Sequence, residues 1–245
     1  MNMKHSEQEL ILLKEEVIQM WKFVITQIEK SKKALLNDDI ELAREVVSRE
    51  KRVDLFELKI ESDCENHIAL YAPVAIDLRL VLSLLKITSS LERIGDFAES
   101  IARYVIMDNS TILNPKIVEE LKVEPMFELV IGMLTDTFAL FNSGKTEVYG
   151  KILCKDDDVD TIYKNSFNIM TQFLLNNPTM IRSGLELILV VRKLERIGDY
   201  CSNLVEDVVF YVDAKVLKHK PTIQTEQYQD GNSDETENQD DTDEE

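Results

Sequence analysis

The hexamer Leu-Glu-Arg-Ile-Gly-Asp occurs at 91–96 and again, letter for letter, at 194–199. At average composition a chain of 245 residues repeats a hexamer with odds on the order of one in a thousand. The chain is therefore read as an internal duplication, and its fold must be built from two like units. The correspondence extends outward from the hexamer. Leu84, Leu91, Ile94, Ala98, Ile101 and Val105 match Leu187, Leu194, Ile197, Cys201, Leu204 and Val208. From Leu91 and Leu194 onward these positions step by three and four, an apolar stripe on one helix face suited to near-antiparallel bundle packing. A second match pairs Arg49-Glu50-Lys51-Arg52-Val53-Asp54 with Lys155-Asp156-Asp157-Asp158-Val159-Asp160. The interval from it to the hexamer is three residues shorter in the second half.

Seven Gly and five Pro are few, and most lie between long periodic segments. The breakers predict helices over 4–36, 38–71 and 75–107, separated by Asn37-Asp38-Asp39, which offers an N-cap, and by Pro73. After Asp108-Asn109-Ser110, Asn114-Pro115 opens a fourth helix, interrupted near Pro125 and ending at Asn142-Ser143-Gly144. The last two helices span 146–176 and 179–217, with Pro178 between them and Pro221 after. The reading is all-α, with one three-helix unit at 1–110, a second at 111–221 and an acidic tail at 222–245.

Charge narrows the partners. The formal charge is −18, of which ten acids and no bases fall in 222–245, leaving −8 on the body. An acidic body with a more acidic tail repels phosphate backbones, so nucleic acid is not expected as a partner. The tail is Gln-, Asn-, Asp- and Glu-rich and reads as disordered and solubilising, with a regulatory or partner-binding role as the alternative. Cys64, Cys154 and Cys201 are widely spaced and read as buried thiols of a reducing compartment. Residues 1–8 are polar, and the apolar runs at 80–85 and 187–191 are far short of the roughly 20 residues of a membrane span. A cytoplasmic protein, at most peripheral to a membrane, is expected.

The candidate site is a set of paired acids. Each half carries an acid-x-x-x-Asp pair on its second helix, Glu50 with Asp54 and Asp156 with Asp160. Each carries another on its third helix, Glu92 with Asp96 and Glu195 with Asp199. A spacing of four stacks both carboxylates on one helix face, where they repel by a few tenths of a kcal/mol. A bridging cation removes that repulsion. Glu57 and Glu61 continue the face of the second helix, Glu99 that of the third, and Asn203 offers an amide oxygen on the last. Because the set is all oxygen, it suits Mg, Mn, Ca or an oxo-bridged iron cluster better than a structural zinc. A lone pair of this kind is ordinarily a solvated face. The helical wheel places Glu92, Asp96 and Glu99 nearly opposite the Leu84–Ile94 stripe, hence at the surface.

Gly95 and Gly198 stand inside helices at a cost of roughly 1 kcal/mol each relative to Ala, which close packing explains better than approach by a ligand. Arg93 and Arg196 read as neutralising neighbours of the acids, and Trp21 with the scattered Phe and Tyr as core. His5, His67 and His219 lie outside the acid sets, so the Glu-x-x-His pattern of di-iron bundles is missing. Nor is there a Gly-rich phosphate loop, G-x-S-x-G, Cys/His pairing or H-E-x-x-H, so catalysis is not expected.

With these motifs the chain resembles the PhoU family of bacterial phosphate-signalling regulators up to about residue 218. Besides both hexamers, the resemblance rests on Glu50-Lys51-Arg52-Val53-Asp54 and Ala72-Pro73-Val74-Ala75-Ile76-Asp77-Leu78-Arg79. The run from Asp156 to Asp160, Leu204-Val205-Glu206 and Val209-Phe210-Tyr211 add to it. It implies two tandem three-helix bundles related by pseudo-two-fold symmetry. It also implies a negative regulator of phosphate uptake and of the phosphate-starvation response. Such a regulator acts between the ATP-binding subunit of a phosphate ABC transporter and a sensor histidine kinase, commonly as a homodimer. By position, one cluster of iron, manganese, magnesium or zinc would use Glu50, Asp54, Glu92 and Asp96. The other would use Asp156, Asp160, Glu195 and Asp199. Ser100 stands where the second half has Asn203, and Asp77-Leu78-Arg79 is echoed only by Arg182, so the halves are not equivalent. A metal-storage or metal-dependent helical enzyme and a metal-free acidic scaffold are the competing readings.

Overall fold

The computed structural model describes residues 2–107 and 115–217. Its elements are α1 (Asn2–Asn37), α2 (Ile40–Tyr71), α3 (Ala75–Met107), α4 (Pro115–Glu120), α5 (Val123–Ser143), α6 (Tyr149–Asn176) and α7 (Ile181–Asp213). A single 3-10 turn, Pro178–Met180, precedes α7. Among the described residues there is no strand. The expected tail at 222–245, the turn at 108–110 and the boundary between 110 and 111 lie outside them.

Local chemistry sets most helix ends. Asp39 caps α2 by accepting a 2.9 Å hydrogen bond from the Leu42 amide. Ala72 ends α2 in the left-handed region (φ 44°) just before Pro73, which cannot continue the helix. Gly144 closes α5 in the same way (φ 67°). The interruption expected near Pro125 falls earlier, at Lys122 (φ 53°). Pro125 itself sits in the first turn of α5, where its missing N–H costs nothing. Helix α6 starts at Tyr149, not at 146, because Thr146 is buried and donates its hydroxyl to Asp213 (2.9 Å). Helix α7 stops at Asp213, short of 217, because Ala214 turns left-handed and its N–H closes on the Phe210 carbonyl.

Helices α1, α2 and α3 form one bundle and α5, α6 and α7 the other, with α4 against α5 and α6. All twelve residues of the duplicated stripe are buried. At roughly 1.5–3 kcal/mol for each large side chain, burial of that stripe is a main source of cohesion. The halves join where α3 packs on α7 and α1 on α5. At the first junction the matched residues Phe97 and Tyr200 meet, ring centroids 5.9 Å apart. Contact between equivalent positions marks the local pseudo-two-fold axis, about which α3 and α7 run antiparallel. At the second, Trp21 of α1 is fully buried, stacks on Phe141 (5.5 Å, 23°) and donates from Nε1 to the Leu134 carbonyl (3.1 Å). Lys32 of α1 reaches Glu124 (3.1 Å) and Glu128 of α5.

Two core expectations need correction. Cys64 and Cys201 are buried but Cys154 is exposed, on the outward side of α6 beyond buried Ile152. Phe167, 48% exposed, does not belong to the core either.

Candidate functional site

Each acid set lies along a seam between two helices of one half. In the first, α2 buries Val46, Val53 and Ile60, a seven-residue step that holds one face against its neighbours. Glu50, Asp54, Glu57 and Glu61 flank that face and are partly buried. From α3, Glu92, Asp96 and Glu99 enter the same seam. The side chains of Glu92 and Glu99 are each only 14% exposed. The wheel-based expectation of a solvated face is therefore corrected: α2 covers the flank of α3 that a single-helix projection leaves bare.

Crowding shows in the protonation of these groups. Glu50 is pushed up to about 7, first by burial, then by its hydrogen bond with Asp54 and by the charges of Asp54, Glu99 and Asp96. Glu92 rises to about 7 through burial, then the charges of Asp96 and Glu57. Burial also raises Asp96, opposed by Arg93. Carboxyls that cannot all ionise side by side share protons. Arg93 relieves part of this, lying 3.2 Å from Asp96 and 3.4 Å from Glu92 Oε2. That oxygen is buried and has no hydrogen-bond donor.

In the second half, α6 presents Asp156 and Asp160 toward Glu195 and Asp199 of α7. Glu195 rises to about 7 by burial, then by the charge of Asp199, with Arg196 opposing and Asp160 adding. Here more partners are in place. Ser202 Oγ donates to Asp156 Oδ2 (2.8 Å), Lys164 pairs with Asp160 (2.9 Å) and Arg196 with Asp199 (3.1 Å). The position a Gly198 Cβ would occupy lies 2.8 Å from Asp156 Oδ1, whereas Gly95 faces the methyls of Val53 at 3.1 Å. Close packing on Val53 and, at 3.3 Å, on Val159 thus accounts for both glycines, and at Gly198 a candidate ligand oxygen lies opposite as well. Asn203 is exposed, while Ser202, overlooked in the sequence, makes the polar contact. Its place directly after buried Cys201 was the available signal.

The eight acids are thus brought together as two seams of four, with Glu50, Glu92 and Glu195 holding protons near neutral pH. Among the described residues, no three acid, His or Cys side chains form a ready ligand shell. The donor chemistry nevertheless fits a hard cation: oxygen ligands in excess of local bases, and a buried carboxylate oxygen lacking a donor. Among the described residues no helix is long and apolar enough to cross a membrane.

Comparison with known proteins accords with this architecture. The PhoU domain pattern matches residues 17–105 and 123–208. The phosphate-specific transport system accessory protein PhoU homolog of Aquifex aeolicus is 36% identical over 214 residues, covering 87% of this chain and 95% of its own. The accessory protein PhoU of Escherichia coli is 31% identical over 211 residues, 86% of either chain. The crystal structure of PhoU from Pseudomonas aeruginosa superposes with a TM-score of 0.77 at 27% identity, over 85% of this chain and 99% of that one. That of the regulatory protein PhoU from Streptococcus pneumoniae gives 0.73 at 23%, over 87% and 100%, a likeness of fold. The PhoU domain match over both halves of the duplicated fold, with 36% and 31% identity to accessory proteins of similar length, places the chain in the PhoU family of phosphate-transport accessory proteins.

Proposed function

We propose that this chain is a negative regulator of phosphate uptake and of phosphate-starvation signalling. It acts as a cytoplasmic, non-enzymatic adaptor between the ATP-binding subunit of a phosphate ABC transporter and a sensor histidine kinase. It reaches the membrane only through those partners and works as a homodimer. The observation that carries the reading is the pair of half-buried acid seams, on a framework shared with phosphate-transport accessory proteins.

In this reading Glu50, Asp54, Glu92 and Asp96 hold cations at one seam, and Asp156, Asp160, Glu195 and Asp199 at the other. Iron, manganese, magnesium and zinc are the candidate ions, and a bound ion supplies charge neutralisation that ties α2 to α3 and α6 to α7. Deleting the gene is expected to derepress starvation genes in phosphate-rich medium; unchanged expression would sink the regulatory role. Elemental analysis of untagged protein beside an Asp96→Asn, Asp199→Asn variant tests the ions, with stoichiometric metal expected in the first and lost in the second. Metal-free protein that still captures the ATP-binding subunit would instead make the seams a plain acidic docking face. The ion pairs already made by Arg93, Arg196 and Lys164 favour that second reading.

A further inference from the structure

Away from the acid seams, the carboxyl-terminal half of α3 and the amino-terminal half of α7 leave an open cleft of about 590 Å³. That volume lies within the range of small-molecule sites. Its wall carries Arg103, Arg182 and Lys193, with the hydroxyls of Ser100, Thr179 and Ser183. Three cations around one cleft run against the charge of a chain at −18. Arg103 is held by Glu99 (2.6 Å) and Arg182 by Glu186 (3.2 Å), itself on the wall. One carboxylate does not exhaust the five N–H donors of a guanidinium. Lys193 is partly buried and, among the described residues, makes no ion pair. No side chain caps the amino end of α7 and its first turn holds no acid, so the positive end of that helix adds to the same field.

The duplication provides an internal control. The wall residues of α3 and α7 have counterparts set by the matched hexamers; Arg182 keeps a cation there, as Arg79, but at three other positions the chemistry changes. Arg103 corresponds to Glu206, Tyr104 to Asp207 and Lys193 to Ser90. At that second place Asp207 is partly buried and paired with Lys86 (3.5 Å), whose ammonium also lies over the Phe210 ring (6.0 Å). Packing two like helices antiparallel requires neither arrangement. One of two equivalent places carries acids and an ion pair with Lys86, the other three cations around an open cleft.

We propose that the open cleft binds a small phosphate-type oxyanion, inorganic phosphate or a phosphate monoester, gripped by Arg103, Arg182 and Lys193. Guanidinium forks and an ammonium match the geometry and charge of such a group. The proposal rests on the regulatory reading only for choosing phosphate among oxyanions, and it gives the regulator a direct contact with the ion whose uptake it controls.

The test is equilibrium dialysis of the full chain at low salt after removal of metal by a chelator. Radiolabelled inorganic phosphate is used in one arm and AMP in the other. Saturable binding of one equivalent is expected in at least one arm. It should weaken about tenfold or more in an Arg103→Gln, Lys193→Met variant and stay unchanged in Lys86→Met at the counterpart place. Binding of inorganic phosphate supports the site with the free ion as occupant, and binding of AMP alone supports it with a phosphorylated metabolite. Lys193→Met by itself serves if circular dichroism shows the double variant unfolded. No saturable binding in either arm, or equal binding by a folded variant, overturns the proposal. Starvation genes that remain derepressed on gene deletion would then leave the regulatory role standing without this site.

Discussion

At the scale of single residues, the two glycines of the duplicated hexamer differ in what faces them across the bundle. Alanine at position 95 meets the Val53 methyls at 3.1 and 3.4 Å, and Val53 is buried. Overpacking of that kind costs about 1–3 kcal/mol, partly offset by the better helix propensity of Ala. Gly95→Ala is therefore expected to lower the thermal midpoint by a few degrees with metal content unchanged. At position 198 the new methyl meets Asp156 Oδ1 at 2.8 Å and also the buried Val159 at 3.3 Å, so displacement of a carboxylate is added to the same kind of overpacking. Gly198→Ala is expected to lower the thermal midpoint by a similar amount and, in addition, to break the Ser202–Asp156 hydrogen bond and lower metal content at the second seam; unchanged metal in both variants would argue against that seam. The paired acids were legible because a spacing of four is a property of one helix. The difference between the glycines was not, since it depends on which residue of the neighbouring helix lies opposite.

At the scale of the helix, the start of α2 offers a clean test. Asp39 satisfies the Leu42 amide, and Asp39→Ala should destabilise the protein by about 1 kcal/mol, read as a lower denaturant midpoint with an unchanged slope. That cap, the stop before Pro73 and the close of α5 at Gly144 could be read in advance because Asp, Pro and Gly act through their own backbone chemistry. The break between α4 and α5 could not. It depends on Lys122 adopting a left-handed conformation that no local propensity favours and that bundle packing imposes. The ends at Tyr149 and Asp213 were hidden for a related reason, being tied together by a hydrogen bond from Thr146 to Asp213 across 67 positions of sequence. Burial of the first acid seam was obscured likewise, since one helical wheel cannot show what a second helix covers.

At the scale of the whole molecule, the seams make stability depend on pH. Glu50, Glu92 and Glu195 hold protons up to about 7 in the folded chain, against about 4.3 for an unperturbed Glu. Between those values the folded state binds more protons than the unfolded state, so stability falls as pH rises through the window. Metal-free protein is expected to melt at higher temperature near pH 5.5 than near pH 8, and a midpoint that rises with pH would contradict the crowded seams. Adding a divalent cation at pH 8 should restore the midpoint, because the ion takes the place of the shared protons.

The seam between α1 and α5 has a spectroscopic consequence. The chain has one tryptophan, and its indole lies in that seam, bonded and stacked to residues of the opposite half. Intrinsic emission thus monitors the docking of the halves more directly than helix formation within either. A state in which the bundles part while their helices persist would show a red-shifted emission beside an unaltered far-ultraviolet circular dichroism spectrum. Such a state can therefore be detected during titration with phosphate, cation or acid without attaching a probe.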